Sequence, residues 1–180
     1  MTKPIDFVLD IETLGTTPGA TILEISAWCG AQGIDFLIDP NSHPGKFELD
    51  TLLWWATVPE KPAKQRAFDS SADRYGLEIA LNRLNDFIKE NEPDYFWGCS
   101  PDFDYKHLEY WYKYFQIEIP WKYYQLRDVR TIRDFLTREK LDELERQAGF
   151  IGECKHIASY DADLEARIVK NFRQKIELLK

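Results

Sequence analysis

Asp10 and Glu12 stand two residues apart in the run Ile5-Asp-Phe-Val-Leu-Asp-Ile-Glu12. The run is rich in branched and aromatic residues and reads as a β-strand, on which alternate side chains share a face. Both carboxylates therefore project beside Val8. Side by side they repel, and each resists burial without a partner. Either a divalent cation bridges them, or the pair sits at a strand end facing water.

Two more aspartates bear on that choice. On a helix starting near Phe103, positions Asp104, Leu108, Trp111 and Phe115 share one face, while Asp102, Lys106, Glu109 and Lys113 share another. The positive end of a helix favours an acid in the first turn. That explains Asp102, but not why Asp104 heads an apolar stripe. The last helix repeats the contrast. Asp161, Leu164, Ile168, Phe172, Ile176 and Leu179 line one side, and Asp163, Arg167, Lys170 and Gln174 the other. Four carboxylates around one point suit Mg²⁺ or Mn²⁺ rather than Zn²⁺. Two such cations about 3.5–4 Å apart form the usual clamp for phosphodiester hydrolysis. Among the histidines, His43 lies in a Pro/Gly loop and His107 one turn after Asp104, where packing accounts for it. His156 lies five residues before Asp161. It is either a solvated loop residue or a group able to accept a proton from water near neutral pH.

The elements that must carry these residues follow from local patterns. Strands are expected over 5–12, 21–29 and 34–38, with a turn over 30–33, forming an antiparallel meander. Further strands are expected at 95–98 and 125–127. Helices are expected at 49–56, 72–90, 103–115, 129–137, 141–148 (stopped at Gly149) and 159–179. Residues 58–71, with Pro59, Pro62, Lys61, Lys64 and Arg66, read as an exposed basic loop. Strands followed by alternating helices and strands indicate an α/β fold, a mixed sheet flanked by helices. The 180 residues fit one domain over 1–180.

Composition narrows the classes. The formal net charge of −8 argues against a binder that coats nucleic acid through a bulk positive field, but not against nucleic acid as a substrate. Cys29, Cys99 and Cys154 are scattered, with no CxxC pair, which argues against structural zinc and points to a reducing compartment. No apolar leader or membrane-length apolar run is present, so a cytoplasmic protein without membrane association is expected.

The ordered set Asp10-x-Glu12, Asp104, His156-x4-Asp161 closely resembles the DEDDh 3′→5′ exonucleases, and more narrowly the small bacterial and phage exoribonuclease branch related to ribonuclease T. The stretch Phe7–Gly15, the pair Trp54-Trp55, the run Tyr123–Thr131 and the ending His156-Ile-Ala158-Ser-Tyr-Asp161-Ala162 carry the likeness. Cys99-Ser100, where relatives often have Asn-Gly, and Tyr160, where many have an acid, depart from it. The resemblance implies a ribonuclease H-like fold and a homodimer. It also implies two Mg²⁺ or Mn²⁺ ions on Asp10, Glu12, Asp104 and Asp161, with His156 as general base. Thr13, Leu14 and Phe103 would contact an RNA (or DNA) 3′ end, and nucleoside 5′-monophosphates would be released.

Other features keep two readings. One of Trp54 and Trp55 could enter the core while the other stacks on a base, or both are core. Lys61, Lys64 and Arg66 either hold phosphates or are merely solvated. Arg127-Asp128-Val-Arg130 either serves the substrate or forms an internal ion pair. For the whole chain the alternatives are a DNA exonuclease of the same chemistry, a silent nucleic-acid-binding module and a small-molecule phosphatase.

Overall fold

The computed structural model describes residues 3–58, 61–147 and 155–178. Five strands, β1 (Asp6–Thr13), β2 (Ile22–Cys29), β3 (Gln32–Leu37), β4 (Tyr95–Gly98) and β5 (Leu126–Asp128), form one sheet in the order β3-β2-β1-β4-β5. The first three are the expected antiparallel meander, and β4 and β5 add parallel to β1. The mixed sheet with flanking helices bears out the expected fold class. The β2–β3 turn is tighter than 30–33: it closes at Gly30, whose φ of 64° suits glycine, so β3 begins at Gln32.

Strand alternation sorts the core. Phe7, Leu9 and Ile11 face α3 (Leu77–Asn91) and α4 (Pro101–Tyr114), packing with Leu81, Leu84, Leu108 and Trp111. On the other face Val8 and Trp97 pack with α5 (Val129–Arg133), α6 (Arg138–Gln147) and α7 (Ala158–Glu177) through Val129, Leu144, Leu164 and Ile168. Asp10 and Glu12 are in phase with Val8, so they lie on the α7 side. Arg173 anchors α7 to the start of β1 by a two-pronged ion pair with Asp6, at 2.7 and 2.8 Å.

The expected basic loop is the largest departure. Lys61–Phe68 is a helix, α2, following α1 (Leu49–Thr57). Pro62 is tolerated in its first turn. Ala63 and Ala67, four apart, bury against Leu23, Trp55 and Val58. Arg66 is not free for phosphate: its guanidinium holds Glu24 at 2.9 Å and also pairs with Asp35. Lys64 reaches the Ala56 carbonyl. Pro59 and the expected helix stop at Gly149 lie outside the described residues, as does Cys154.

Two helices are shorter than their patterns. The helix expected from residue 72 begins at Leu77, because Tyr75 is drawn into backbone bonding with Leu37 and Asp39 beside the sheet. The helix expected over 129–137 stops at Arg133, and the chain turns through Leu136. Among the described residues no helix is long and apolar enough to cross a membrane.

Arg66 ties α2 to the sheet through Glu24, whose side chain is almost wholly buried. Arg66→Ala should therefore lower stability by about 2–4 kcal/mol at about pH 8, read from urea denaturation. Burial holds the Glu24 carboxyl at about 7 even beside the guanidinium. The loss should accordingly shrink at about pH 5, where Glu24 carries a proton and needs no counter-charge. An equal loss at both pH values would refute the ion-pair account.

Candidate active site

The acidic residues meet at the carboxyl ends of the parallel strands β1 and β4, the usual crevice position in open α/β sheets. β1 carries Asp10 and Glu12 near its end. β4 ends at Gly98, and the chain turns directly into α4, whose first turn carries Asp104. Asp104 is 1% exposed and its Oδ2 has no hydrogen-bond partner among the described residues. A Cβ on Gly98 would come within 2.7 Å of that oxygen, so glycine leaves the space this carboxylate occupies. Asp102 faces outward, as its polar stripe requires.

The third contribution comes from the start of α7. His156 adopts a left-handed backbone (φ 65°), an uncommon conformation for a residue with a side chain. Its N–H donates to Asp161 Oδ2 at 2.8 Å. This bond ties the turn to the helix that follows. One ligand atom each from Glu12, His156 and Asp161 lie within 4.8 Å of one another.

The electrostatics are those of crowded acids. Asp10 is pushed well above the usual carboxylate range by burial and by Asp104, Asp161, Glu165 and Glu12. Glu12 is raised by burial and by Asp161, Glu24 and Asp104. Asp104 is pushed up to about 8, chiefly by burial, against partial relief from the Ile11, Asp104 and Cys99 amides. These groups are oxygen donors of hard character with two buried oxygens unpartnered among the described residues, Asp104 Oδ2 and Glu165 Oε2. Such a set fits Mg²⁺ or Mn²⁺.

Trp54 and Trp55 separate as adjacent helical residues must. Trp55 is 2% exposed, and its indole N–H donates to the Thr13 carbonyl at 2.9 Å. It is a core residue, and the expectation of a substrate contact there is corrected. Trp54 is 40% exposed, and its ring meets the His156 imidazole edge-to-face at 4.7 Å. Thr13 is buried, with its hydroxyl donating to the Gly15 carbonyl. Leu14 packs on the cluster of Leu23, Trp55 and Ala63. Phe103 lies in the first turn of α4 against His107, at 4.4 Å between rings.

The remaining sequence features resolve as structural. Asp128 pairs with Arg130, and Arg127 stacks over Tyr95 at 4.4 Å. His43 accepts the Ile22 N–H. His107 is buried with its Nδ1 at 2.8 Å from the Phe103 carbonyl. Two buried acids escaped the sequence reading. Glu24 lies directly across from Glu12 in the β1–β2 register. Glu165 lies one turn beyond Asp161, at the i,i+4 spacing that puts both on one helix face.

Acids raised by burial hold their protons longer in the fold than in the unfolded chain. Their contribution to stability is full below the ordinary carboxylate range and declines as pH rises toward about 8, the Asp104 value. In chelator, the melting midpoint should fall between about pH 5 and pH 8. Mn²⁺ or Mg²⁺ should raise it, and more so at the higher pH. A flat profile in chelator with no metal increment would contradict the acidic-centre account.

A search among curated protein sequences returned no match. Among solved structures, the chain is similar to the nuclease domain of 3'hExo, a DEDDh family member bound to rAMP. The TM-score is 0.61 at 12% identity, covering 96% of this chain and 92% of that one. It is also similar to cell-death related nuclease 4 (CRN-4), with a TM-score of 0.60 at 12% identity, covering 97% of this chain and 64% of that one. These likenesses show the fold, the ribonuclease H-like sheet of DEDDh nuclease domains. A family model described as the 3'-5' exoribonuclease Rv2179c-like domain matches residues 6–172. With nearly its whole length matched, the chain belongs to the 3'-5' exoribonuclease Rv2179c-like family.

Proposed function

We propose that the chain is a 3′→5′ exoribonuclease that shortens RNA from its 3′ end and releases nucleoside 5′-monophosphates with the help of two divalent cations. The observation that carries this reading is the meeting of Asp10, Glu12, Asp104, His156 and Asp161 at one end of the sheet. Family membership supports the 3′→5′ direction and the choice of RNA.

Asp10, Glu12, Asp104 and Asp161 would hold the cations, Asp104 with its unpartnered oxygen. Bound cations would supply Lewis acidity to offset charge at the scissile phosphodiester. His156 accepts the proton of the attacking water on an imidazole nitrogen. The bond from phosphorus to the 3′ oxygen of the penultimate nucleotide breaks, leaving a new 3′-hydroxyl on the shortened strand and a phosphate on the released nucleotide. The Asp161 carboxylate holds the His156 backbone in place for this. Trp54, the exposed aromatic beside His156, stacks on a base, with Leu14 and Phe103 as apolar walls and Thr13 shaping the turn before Gly15.

The test uses 5′-labelled single-stranded RNA, a duplex with a 3′ overhang, and DNA, with Mg²⁺ or Mn²⁺. Stepwise shortening of RNA from the 3′ end is expected, and Asp104→Ala and His156→Ala should reduce it at least about 100-fold. No shortening of any oligomer would sink the enzyme reading, and faster shortening of DNA would replace RNA as the substrate. Because base stacking on an aromatic contributes about 1–3 kcal/mol, Trp54→Ala should raise KM about 5- to 100-fold with little change in kcat. An unchanged KM would remove Trp54 from the substrate site.

A further inference from the structure

One buried carboxylate has no part in the reaction just described. Glu165 is 5% exposed, yet its Oε2 has no hydrogen-bond partner among the described residues. It stands on α7 one turn past Asp161, so the two share a helix face. Its strongest charged neighbours are Asp104 and then Asp161, and Asp10 is raised by it in turn. It therefore points into the acidic centre from the same helix as Asp161.

The nearby groups do not neutralise it. Arg133 is the cation acting on Glu165, but its guanidinium also reaches Cys99 Sγ at 3.9 Å, and the Cys99 thiol hydrogen-bonds the Glu165 carboxylate. Neither contact reaches Oε2. Its helix neighbours Leu164 and Ile168 belong to an apolar cluster. An unpaired carboxylate facing three others in such surroundings is strongly destabilising. A cation removes that cost.

We propose that Glu165 is a fifth carboxylate ligand of the divalent-cation centre, acting beside Asp10 and Asp104. The inference rests on the cation centre proposed above. Five carboxylates carry one more negative charge than two divalent cations neutralise, so this chain holds Mn²⁺ or Mg²⁺ more tightly than four acids alone would.

Mn²⁺ binding to the full chain, measured by calorimetry and by loss of the free-ion electron paramagnetic resonance signal, tests this without any turnover. Glu165→Gln keeps the side-chain volume and removes the charge. It should weaken Mn²⁺ binding about 10- to 100-fold without lowering the melting midpoint in chelator. A lower chelated midpoint with unchanged Mn²⁺ affinity would mean that Glu165 only braces Cys99 and Arg133, and would overturn the inference. Should Glu165→Gln not fold, Glu165→Asp, which keeps the charge but withdraws it by one methylene, is read by the same criteria. Asp10→Asn separates the two claims. If it weakens binding while Glu165→Gln does not, the fifth ligand alone is wrong. If the unaltered chain takes up no Mn²⁺, the cation centre itself is wrong.

Discussion

Like charges held close together in a poorly solvated seam push apart, and the fold is organised around resisting that push. Two carboxylates 4 Å apart repel by about 4 kcal/mol at the effective dielectric of a protein near its surface. Here Asp10, Glu12, Asp104, Asp161 and Glu165 each feel several of the others. Side chains on mobile loops would simply swing into water. These acids instead sit on the central strand, paired on both sides, on the first turn of α4 and on the first two turns of α7, helices clamped to opposite faces of the sheet. Gly98 completes the arrangement by leaving Asp104 the space that a methyl group would take.

The placement of counter-charges follows the same constraint. Arg66 pairs with Glu24 and Asp35 on one side of the centre, and Arg173 pairs with Asp6 at the far end of β1. Glu24 is the more telling case. It lies across from Glu12, and its Oε1 accepts both Arg66 and the backbone N–H of Ser159 at the start of α7. A cationic side chain is thus supplied to the acid that braces the scaffold. Asp10, Glu12 and Asp104 pair with no arginine or lysine among the described residues. The net charge of −8 acquires a location from this: part of it is concentrated where cations would be bound.

Much of this was legible in the chain because periodicity reports facing direction. Alternation placed Asp10 and Glu12 on the Val8 face, and helical spacing told Asp104 from Asp102 and Asp161 from Asp163. Residues 58–71 carry a loop-like local pattern because of their prolines and scattered cations. The two alanines that make Lys61–Phe68 a packed helix carry little local signal, since their small size matters only against Leu23 and Trp55. The early start expected for the third helix failed for a similar reason. Tyr75 obeys a long-range backbone bond to the sheet rather than its local preference. Trp54 and Trp55 could be told apart only once the Thr13 carbonyl was placed within reach of one indole.

The amino-acid sequence by itself determined that Asp10, Glu12, Asp104 and Asp161 share faces with apolar residues, and in what order they occur along the chain, because side-chain direction within a strand or helix is a local property of backbone geometry. Only the tertiary structure decided that β1, α4 and α7 bring those acids together, that Arg66 serves Glu24 rather than a phosphate, and that Glu165 is buried with an oxygen unpartnered among the described residues. These depend on distances between elements far apart in the chain. Such distances are set by how apolar faces pack, and a pattern read along one element does not contain them.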